Sequence, residues 1–515
     1  MKTPMAAVEP LESRIAPAVI LNVTVNAAGV SVVEDKANAG DSHVTFTVAA
    51  NGDLTIDPTD AFTQLRINGA APLAAGDATT IAGFAGGLKL ALGTGTDDIT
   101  LTGSFPKTVA IDLGTGPGSN DVTVTNASIG GAFSVKAGSG NDSVTFSGTA
   151  VNLFGAVKLA LGDGDNALAN SADRLTVNGN FSAVGGKNGD NFLMDGKTVA
   201  IGGKLDLSTG TGNDQAGFDV TQTLQIDGGV SLKTTGSIDT NTTHMLRAVN
   251  AVSIGSKVTM AIAKGTGNQS VVSTAGSVSI QGAATFTTGG GQFNEVKVTA
   301  DTSLSISGAI TATTKSLDAE LDVKARTGTG RINGAFTATG FLTVIGEFVG
   351  SIAGPAKIAL AGGQNGYALL GTKLSDTAPL WLAAVSYTSK ADGNTFALSN
   401  TVVQGALKVS GGAGNDSFVM DDTVLAAAST VDLGANNDSF FIETGVFPPT
   451  TSQILAPLTL KGGAGDDTFN FSGNNMNATL RAVAKVTADG GAGTDTANIG
   501  ALATFVTPLV QVSIP

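Results

Sequence analysis

A glycine-rich turn recurs through the first half of the chain at a nearly constant interval. The turns begin at residues 93, 114, 138, 162, 186 and 210, so they are 21 residues apart once and 24 residues apart four times. A constant internal period between about 20 and 50 residues is the signature of stacked repeats. This regularity predicts a repeat array rather than a string of ordinary globular domains.

Short runs of alternating apolar and polar residues separate the turns, for example AFSVKA at 132–137 and SVTFSG at 143–148. Such runs predict strands of about four to six residues, and no useful helical period is present. We therefore expect an all-β fold, a parallel β-solenoid (β-helix) with coils of about 24 residues. An up-and-down barrel is the rival, but it does not explain one stereotyped turn per 24 residues. About 17 coils spaced by about 4.8 Å would give a rod about 80 Å long.

Three later turns repeat one motif: GGAGNDSFV at 411, GGAGDDTFN at 462 and GGAGTDTAN at 490. Glycine permits positive φ angles and close approach of stacked turns. A column of aspartates on such turns would repel unless a cation lay between them, and calcium accepts six to eight oxygen ligands. The apolar residues two places after the aspartate, Phe418 and Phe469, are expected to point into the core.

These motifs resemble the calcium-binding nonapeptide of repeat-in-toxin (RTX) proteins, G-G-x-G-x-D-x-U-x, where U is apolar. The resemblance implies calcium as the cofactor and the motif aspartates as its ligands. In the RTX family the motif repeats in tandem every nine residues, whereas here it occurs once per longer coil. The positions matched to the family aspartate are Asp416, Asp467 and Asp495, with weaker matches at Asp97, Asp142, Asp190, Asp214 and Asp438, and at Asp121 after a two-residue insertion.

The middle of the chain keeps the glycines but changes the residue expected to bind metal. The turns at 265, 328 and 362 place Gln269, Ile332 and Tyr367 at that position. We therefore expect two calcium-competent zones, 93–218 and 411–496, around a metal-poor centre at 220–400. The alternative is that Asp and Asn serve only to make turns through their own backbone hydrogen bonds.

The ends of the chain suggest how the array is organised. Within residues 1–20, LESRIAPA resembles the LEPR-type N-terminal segment of large, repetitive exported bacterial proteins, which implies an extracellular or cell-surface location. Residues 21–90 are expected to form N-terminal strands or a separate cap, and 91–500 the solenoid repeats. Residues 501–515 are expected to act as a C-terminal cap or an export signal.

Composition excludes several function classes. The net charge of −14 and pI near 4.5 argue against a nucleic-acid partner, because phosphate binding requires clustered Lys and Arg. The absence of cysteine removes disulfides and zinc–thiolate sites. No run of about 18 uninterrupted apolar residues occurs, so no transmembrane segment is expected.

The sequence does not favour catalysis. His43 and His244 have no acid–base constellation near them and are expected to be surface residues at strand starts. The adjacent acids Asp97–Asp98, Asp421–Asp422 and Asp466–Asp467 would point to opposite faces of a strand. Nucleophile elbows, phosphate loops and HExxH motifs are absent.

The favoured hypothesis is a non-catalytic, exported, calcium-binding β-solenoid acting as a structural, surface-layer or adhesive protein at the cell surface. Its partners would be calcium ions, and surface glycans or further copies of the chain. The alternative is a carbohydrate-active β-helix enzyme, a polysaccharide lyase or hydrolase, whose groove would lie over the central coils. That alternative needs acids and bases clustered on one face of residues 220–400, where the sequence offers the isolated candidates Lys264, Glu295, Arg326 and Arg331.

Overall fold

A computed structural model describes residues 18–236, 242–316, 318–361, 365–373, 376–389, 393–443, 451–472 and 478–514. The chain is all-β and forms a parallel β-solenoid of about 16 turns with a spacing of roughly 25 residues, which confirms the predicted fold class. Within the described ranges the helical content is the 3-10 turn Lys36–Asn38. No helix in these ranges has the length and apolar character needed to cross a lipid bilayer.

Each regular coil has three faces, and the chain passes through them in a fixed order. Face A precedes the glycine turn, face B follows it, and face C completes the coil. Because strand residues alternate between the two sides of a sheet, every second side chain points into the core.

Face A contains the strands Gly29–Glu34, Gly87–Ala91, Val109–Asp112, Phe133–Lys136, Val157–Gly162, Phe181–Gly185, Leu205–Thr211, Val230–Gly236, Val258–Lys264, Ala284–Gly290, Ile310–Thr314, Phe336–Phe341, Leu407–Ala413, Ser429–Ala435, Leu458–Ala464, Val486–Ala492 and Val510–Val512. Face B contains Ser42–Val48, Ser143–Ser147, Ala167–Asn170, Asn191–Met194, Gln215–Val220, Thr243–Ala248, Gln269–Thr274, Glu295–Ala300, Tyr367–Gly371, Ser439–Ile442, Thr468–Phe471 and Thr496–Ile499. Face C contains Ala150–Leu153, Arg174–Val177, Thr198–Ile201, Thr223–Ile226, Ala251–Ile254, Ser277–Ile280, Ser303–Ile306, Thr451–Ile454, Thr479–Ala482 and Ala503–Phe505.

Seven longer strands bend through more than one face. Glu320–Ile332, for example, pairs with Glu295–Ala300 on face B and then with Ser303–Ile306 on face C. The seven are Asp97–Phe105, Asp121–Ile129, Glu320–Ile332, Thr343–Leu360, Leu380–Thr388, Thr395–Val403 and Ser417–Leu425.

Parallel register sets the coil length. Phe133 pairs with Val157, Val157 with Phe181, and Phe181 with Leu205, so equivalent residues are 24 positions apart in this part of the chain. The inward side chains of successive coils stack into one apolar core that extends along the whole solenoid. Phe418 and Phe469 are fully buried in it, as predicted.

Residues 19–81 form a cap that is continuous with the first coil. Val19–Asn26 pairs antiparallel with Gly29–Glu34, while Leu54–Pro58 pairs antiparallel with Ser42–Val48 and with Thr79–Ile81. A further strand, Thr63–Ile67, runs parallel to the first. The cap joins the solenoid because Gly29–Glu34 and Ser42–Val48 also pair in parallel with Gly87–Ala91 and Asp97–Phe105 of the next coil. The LEPR-like segment falls almost entirely in residues 1–17, which lie outside the described ranges.

Candidate functional site

The turn between faces A and B places one polar side chain inside nearly every coil. These residues stand in register, and each is at most 2 % exposed. We call them the inner ladder. Its members are Ser42, Asp97, Asn120, Asp142, Asn166, Asp190, Asp214, Thr242, Asn268, Asn294, Asn394, Asp416, Asp438, Asp467 and Asp495.

Hydrogen bonds between coils explain why a polar column is tolerated in the interior. The backbone N–H of Asp416 donates to Oδ1 of Asp438 (2.7 Å), that of Asp438 to Oδ1 of Asp467 (2.8 Å), and that of Asp467 to Oδ1 of Asp495 (2.9 Å). The same bond joins the N–H of Asp97 to Oδ1 of Asn120 (3.0 Å). Each of these four side chains therefore satisfies a backbone donor of the preceding coil that would otherwise be buried without a partner.

In several coils, the residue before the ladder position belongs to a second, solvent-exposed ladder that runs the other way. The backbone N–H of Asn437 donates to Oδ1 of Asn415 (3.0 Å), and that of Asp466 donates to Oδ1 of Asn437 (2.8 Å). Here the accepting side chain belongs to the preceding coil, whereas in the inner ladder it belongs to the following coil. Paired residues such as Asn415–Asp416 and Asp466–Asp467 are thus explained by two antiparallel hydrogen-bond columns.

The glycines of the motif make room for these columns. A methyl group at Gly462 would place its carbon 2.0 Å from Oδ2 of Asp467, and one at Gly490 would lie 2.2 Å from Oδ2 of Asp495. The next glycine, Gly463, has φ +111°, and a carbon added there would lie 1.8 Å from the carbonyl oxygen of the preceding coil. The first glycine therefore accommodates the carboxyl group, and the second allows the turns to stack.

The second carboxyl oxygen is the unusual feature of the inner ladder. In six of its aspartates, Oδ2 is buried and has no hydrogen-bond partner among the described residues. A buried oxygen of this kind is costly unless it is protonated or bound to a cation. The six residues are Asp97, Asp142, Asp214, Asp438, Asp467 and Asp495.

Burial shifts the titration of these groups. Desolvation raises the pKa of Asp438 to about 7, with a further contribution from the neighbouring carboxyls of Asp467 and Asp416. Desolvation likewise raises the pKa of Asp97 to about 7, assisted by the charge of Glu34. It raises the pKa of Asp190 and Asp467 to about 6. Near neutral pH, the carboxyl groups of Asp97 and Asp438 are therefore poised between protonated and charged states.

The two aspartate-rich zones differ in arrangement. From Asp97 to Asp190, aspartate alternates with asparagine, so charged positions are separated by neutral ones. From Asp416 to Asp495, aspartates occupy four consecutive coils, which concentrates like charge in one column. The C-terminal zone therefore has the greater need for a compensating cation or for protons.

The donor set available to calcium is one carboxyl oxygen per turn together with backbone carbonyls. Oxygen donors of this type match calcium chemistry, and the buried, unpartnered Oδ2 atoms fit a cation. Within the described ranges, however, no three acidic, histidine or cysteine side chains converge on one point that could hold a metal ion. Backbone carbonyls would thus have to supply most of the ligands, and metal binding by these residues stays a prediction.

Eight of the nine predicted ligands lie in the inner ladder: Asp97, Asp142, Asp190, Asp214, Asp416, Asp438, Asp467 and Asp495. Asp121 does not. It is exposed at the start of the strand Asp121–Ile129 and accepts a hydrogen bond from Ser143 Oγ, while Asn120 occupies the ladder. With its two inserted residues, this turn places Asn120 at the ladder position, one residue before Asp121.

Asparagine can replace aspartate at the ladder position of a turn, which was not recognised from the sequence. Gln269 and Tyr367 are outward-facing first residues of face B strands, and Ile332 lies in the core of face C. The ladder residue of the Gln269 coil is Asn268, so the ladder extends into the predicted metal-poor centre as far as Asn294. It is interrupted where Ala319, Leu342 and Gly366 occupy the equivalent position.

The two histidines have different environments. His43 is partly exposed, and its Nδ1 lies 2.5 Å from Oδ2 of Asp98. His244 is fully buried, which corrects the expectation of a surface residue. Its Nε2 lies 3.0 Å from Oγ1 of Thr234, and burial lowers its pKa to about 3. A neutral, enclosed imidazole of this kind serves packing.

Face B of the central coils also carries a charged cleft, which we call the central cleft. It consists of two hollows of about 560 and 860 Å³ that share Gln269 and Glu295. Arg326, one of the isolated candidates, lines it as well, whereas Arg331 lies on face C beside Asn333. The side chain of Lys264 is outside the described part of the structure. Acids and bases therefore do gather on one face of the centre.

Comparison of the chain with protein-family models, with curated proteins and with solved structures finds no match in any of the three.

Proposed function

We propose that this chain is a non-catalytic, exported β-solenoid that binds calcium and serves as a structural, surface-layer or adhesive protein at the bacterial cell surface. The observation that carries the proposal is the C-terminal part of the inner ladder. There Asp438, Asp467 and Asp495 stack in consecutive coils, and each has a buried Oδ2 without a hydrogen-bond partner among the described residues. Bound calcium would supply the positive charge that these carboxylates lack.

The protein's own part in such binding is to hold the carboxyl groups in place. Each Oδ1 is fixed by a backbone N–H of the preceding coil, which leaves Oδ2 free to act as a ligand. Gly462 and Gly490 keep the space beside Oδ2 of Asp467 and Asp495 open, since a methyl group at either glycine would collide with the carboxyl group. A ligand set built in this way is already ordered before metal arrives.

The same arrangement supports a structural role at the cell surface. A rod of stacked coils exposes long faces of Thr, Ser and other small residues, which suit lateral contacts. Calcium in millimolar amounts is characteristic of extracellular surroundings, where weak sites of this oxygen type are filled. A chain that gains its full stability only there would remain less rigid until export.

Titration calorimetry tests the proposal. The protein, stripped of metal with EGTA and dialysed, is titrated with calcium chloride at pH 7, with magnesium chloride as the matched control. We expect saturable calcium binding and release of protons, measured as a dependence of the heat on the ionisation enthalpy of the buffer, because Asp97 and Asp438 have pKa values of about 7. Absence of calcium heat, or equal binding of magnesium, would contradict the proposal.

The central cleft favours the alternative, a carbohydrate-active enzyme, because Glu295 and Asp322 lie in it beside Lys297 and Arg326. The measurement that separates the two functions is release of reducing ends or of unsaturated sugars from polysaccharides. Release that is lost in Glu295→Gln would establish the enzyme and remove the non-catalytic proposal.

A further inference from the structure

The charged residues of the central cleft are concentrated in a chain that has few of them. Only 14 % of all residues are charged. Outward positions of face B hold Thr123 and Thr145 in the N-terminal coils and Thr395 in a C-terminal coil. In the central coils, the outward positions of the same face hold charged residues, namely Asp219, Arg247, Glu295, Lys297, Asp322 and Lys324. At these positions, face B therefore carries more charge in the central coils than in the N-terminal and C-terminal coils compared.

Two ion pairs lie in the cleft or at its edge. Arg247 binds Asp219 through two hydrogen bonds, one of which joins Nε to Oδ1 at 2.7 Å. Lys324 Nζ lies 3.1 Å from Oδ1 of Asp322. Each pair places strong donors beside strong acceptors while contributing little net charge.

Polar and charged residues form a row along the axis of the solenoid between the two ion pairs. Register aligns Asp219, Arg247, Ser273 and Thr299 in four consecutive coils, and Lys324 follows in the fifth. At about 4.8 Å per coil, this row is about 20 Å long. The geometry suits an extended chain lying along the rod rather than a compact small molecule.

An exposed aromatic ring lies at the edge of the cleft. Phe293 lines the smaller hollow, is 68 % exposed and has φ +58°. Its backbone N–H donates to Oδ1 of Asp318 (2.8 Å), which fixes the turn that carries the ring. A large apolar side chain in a left-handed conformation is costly, and such costs concentrate at binding sites. The ring offers a flat apolar surface beside the row of polar pairs.

Three classes of occupant fit poorly. Nucleic acids and anionic glycans require unpaired cations, whereas acids outnumber bases in the larger hollow and the chain carries a net charge of −14. A peptide that adds as a β-strand requires a free sheet edge. The face B strands of the cleft are paired on both sides, as Gln269–Thr274 is with Thr243–Ala248 and Glu295–Ala300.

We infer that the central cleft binds an uncharged polysaccharide chain that lies along face B, with its hydroxyl groups on the ion pairs and one sugar ring on Phe293. Sugar hydroxyls both donate and accept hydrogen bonds, so paired carboxylate and basic groups satisfy both roles at once. This inference specifies the glycan partner of the surface role proposed above. It does not depend on calcium, because none of the aspartates expected to bind calcium lines the cleft.

Affinity electrophoresis tests the inference. The full-length protein is run in native gels containing xylan, mixed-linkage β-glucan or galactomannan, with polygalacturonate as the anionic comparison, in calcium and in EGTA. We expect retardation by at least one uncharged polysaccharide and none by polygalacturonate. Retardation in EGTA would support the cleft even if calcium binding failed, so the two proposals can fail separately.

Variants locate the binding. Lys297→Gln and Phe293→Asn are each expected to raise the dissociation constant at least tenfold. Asparagine is chosen at position 293 because it tolerates the left-handed conformation. The matched controls are Lys136→Gln, which breaks an exposed ion pair on face A, and Phe154→Asn, which removes another exposed ring. Circular dichroism confirms that each variant is folded. No retardation of the wild type by any uncharged polysaccharide, or equal losses in the controls, would overturn the inference.

Discussion

Six of the eight ladder aspartates divide two roles between their carboxyl oxygens. In Asp467, Oδ1 accepts the backbone N–H of Asp438 from the preceding coil, while Oδ2 is buried beside Gly462. The first role is structural and is shared with asparagine, as Asn394 and Asn120 show. The second requires a carboxyl group. The chemistry that separates metal binding from turn-making therefore resides in a single atom of each residue.

Gly462→Ala tests the packing explanation of the motif. The added methyl carbon would lie 2.0 Å from Oδ2 of Asp467, so we expect a destabilisation of about 1–3 kcal/mol and a lower thermal midpoint. Gly290→Ala is the matched control, because nothing lies within 4 Å of the added carbon and φ is not positive. Equal midpoints for the two variants would refute the explanation.

Asp438→Asn tests the burial of charge. Asparagine keeps an oxygen that can accept the N–H of Asp416, but it cannot ionise. In EGTA at pH 8, where the buried carboxyl of Asp438 is ionised, we expect the variant to be more stable than the wild type by about 1–3 kcal/mol. Chemical denaturation followed by circular dichroism measures the difference. A less stable variant would mean that the carboxylate is satisfied without metal.

At the scale of the elements, the raised pKa values of the ladder aspartates together make the stability of the stacked turns depend on pH. Asp97, Asp438, Asp190 and Asp467 all have raised pKa values, so the folded protein binds more protons than the unfolded chain between pH 3.8 and about 7. Their contribution to stability is therefore complete below pH 3.8 and is lost as the pH rises through their folded pKa values. His244 acts in the opposite direction, since its folded pKa of about 3 makes stability fall as the pH drops below 6.5.

Above pH 6.5, His244 adds little to the pH dependence of stability, so the contribution of the aspartates can be measured alone. In EGTA, we expect the free energy of unfolding to decrease from pH 6.5 to pH 8, because the groups with pKa values of about 7 lose their protons. Asp438→Asn should reduce the slope. Denaturation curves at several pH values provide the measurement, and stability that is constant or rises with pH would contradict the assigned titration.

The strands could be predicted from the sequence more accurately than the members of the inner ladder. The 24-residue period and the alternating runs were enough for the strands and their parallel stacking, because both depend on local patterns. Asp121 lies outside the inner ladder: the motif match weighted charge, while the fold accepts any side-chain oxygen that can take the hydrogen bond from the preceding coil. The prediction that His244 lies at the surface was wrong. Burial depends on which side of the sheet a residue faces, and a position at the start of a strand does not determine the side.

At the scale of the whole molecule, the protein is a rod with one core and an antiparallel cap. The cap could not be predicted in detail, because residues 19–81 lack the repeated glycine turn and pair partly with one another. The central cleft was also beyond the sequence. Its residues belong to different coils, and only the register of the solenoid brings Asp219, Arg247 and Lys297 to one face.

Small-angle X-ray scattering tests the overall shape. About 16 turns at about 4.8 Å each give an axial length near 77 Å, to which the cap adds a little. We expect a pair-distance distribution typical of a rod, with a maximum dimension of about 80–95 Å. A compact distribution with a maximum near 60 Å would contradict a single continuous solenoid.

Thermal unfolding at pH 8 in EGTA and in millimolar calcium, for the wild type and Asp438→Asn, tests the central claim most directly. Calcium that binds only the folded state adds about 2.7 kcal/mol per site when its free concentration is 100 times Kd. The account predicts a large calcium-dependent rise in the midpoint of the wild type and a smaller rise in the variant. Identical midpoints in EGTA and calcium for the wild type would show that the aspartates only build the ladder, and the calcium proposal would be wrong.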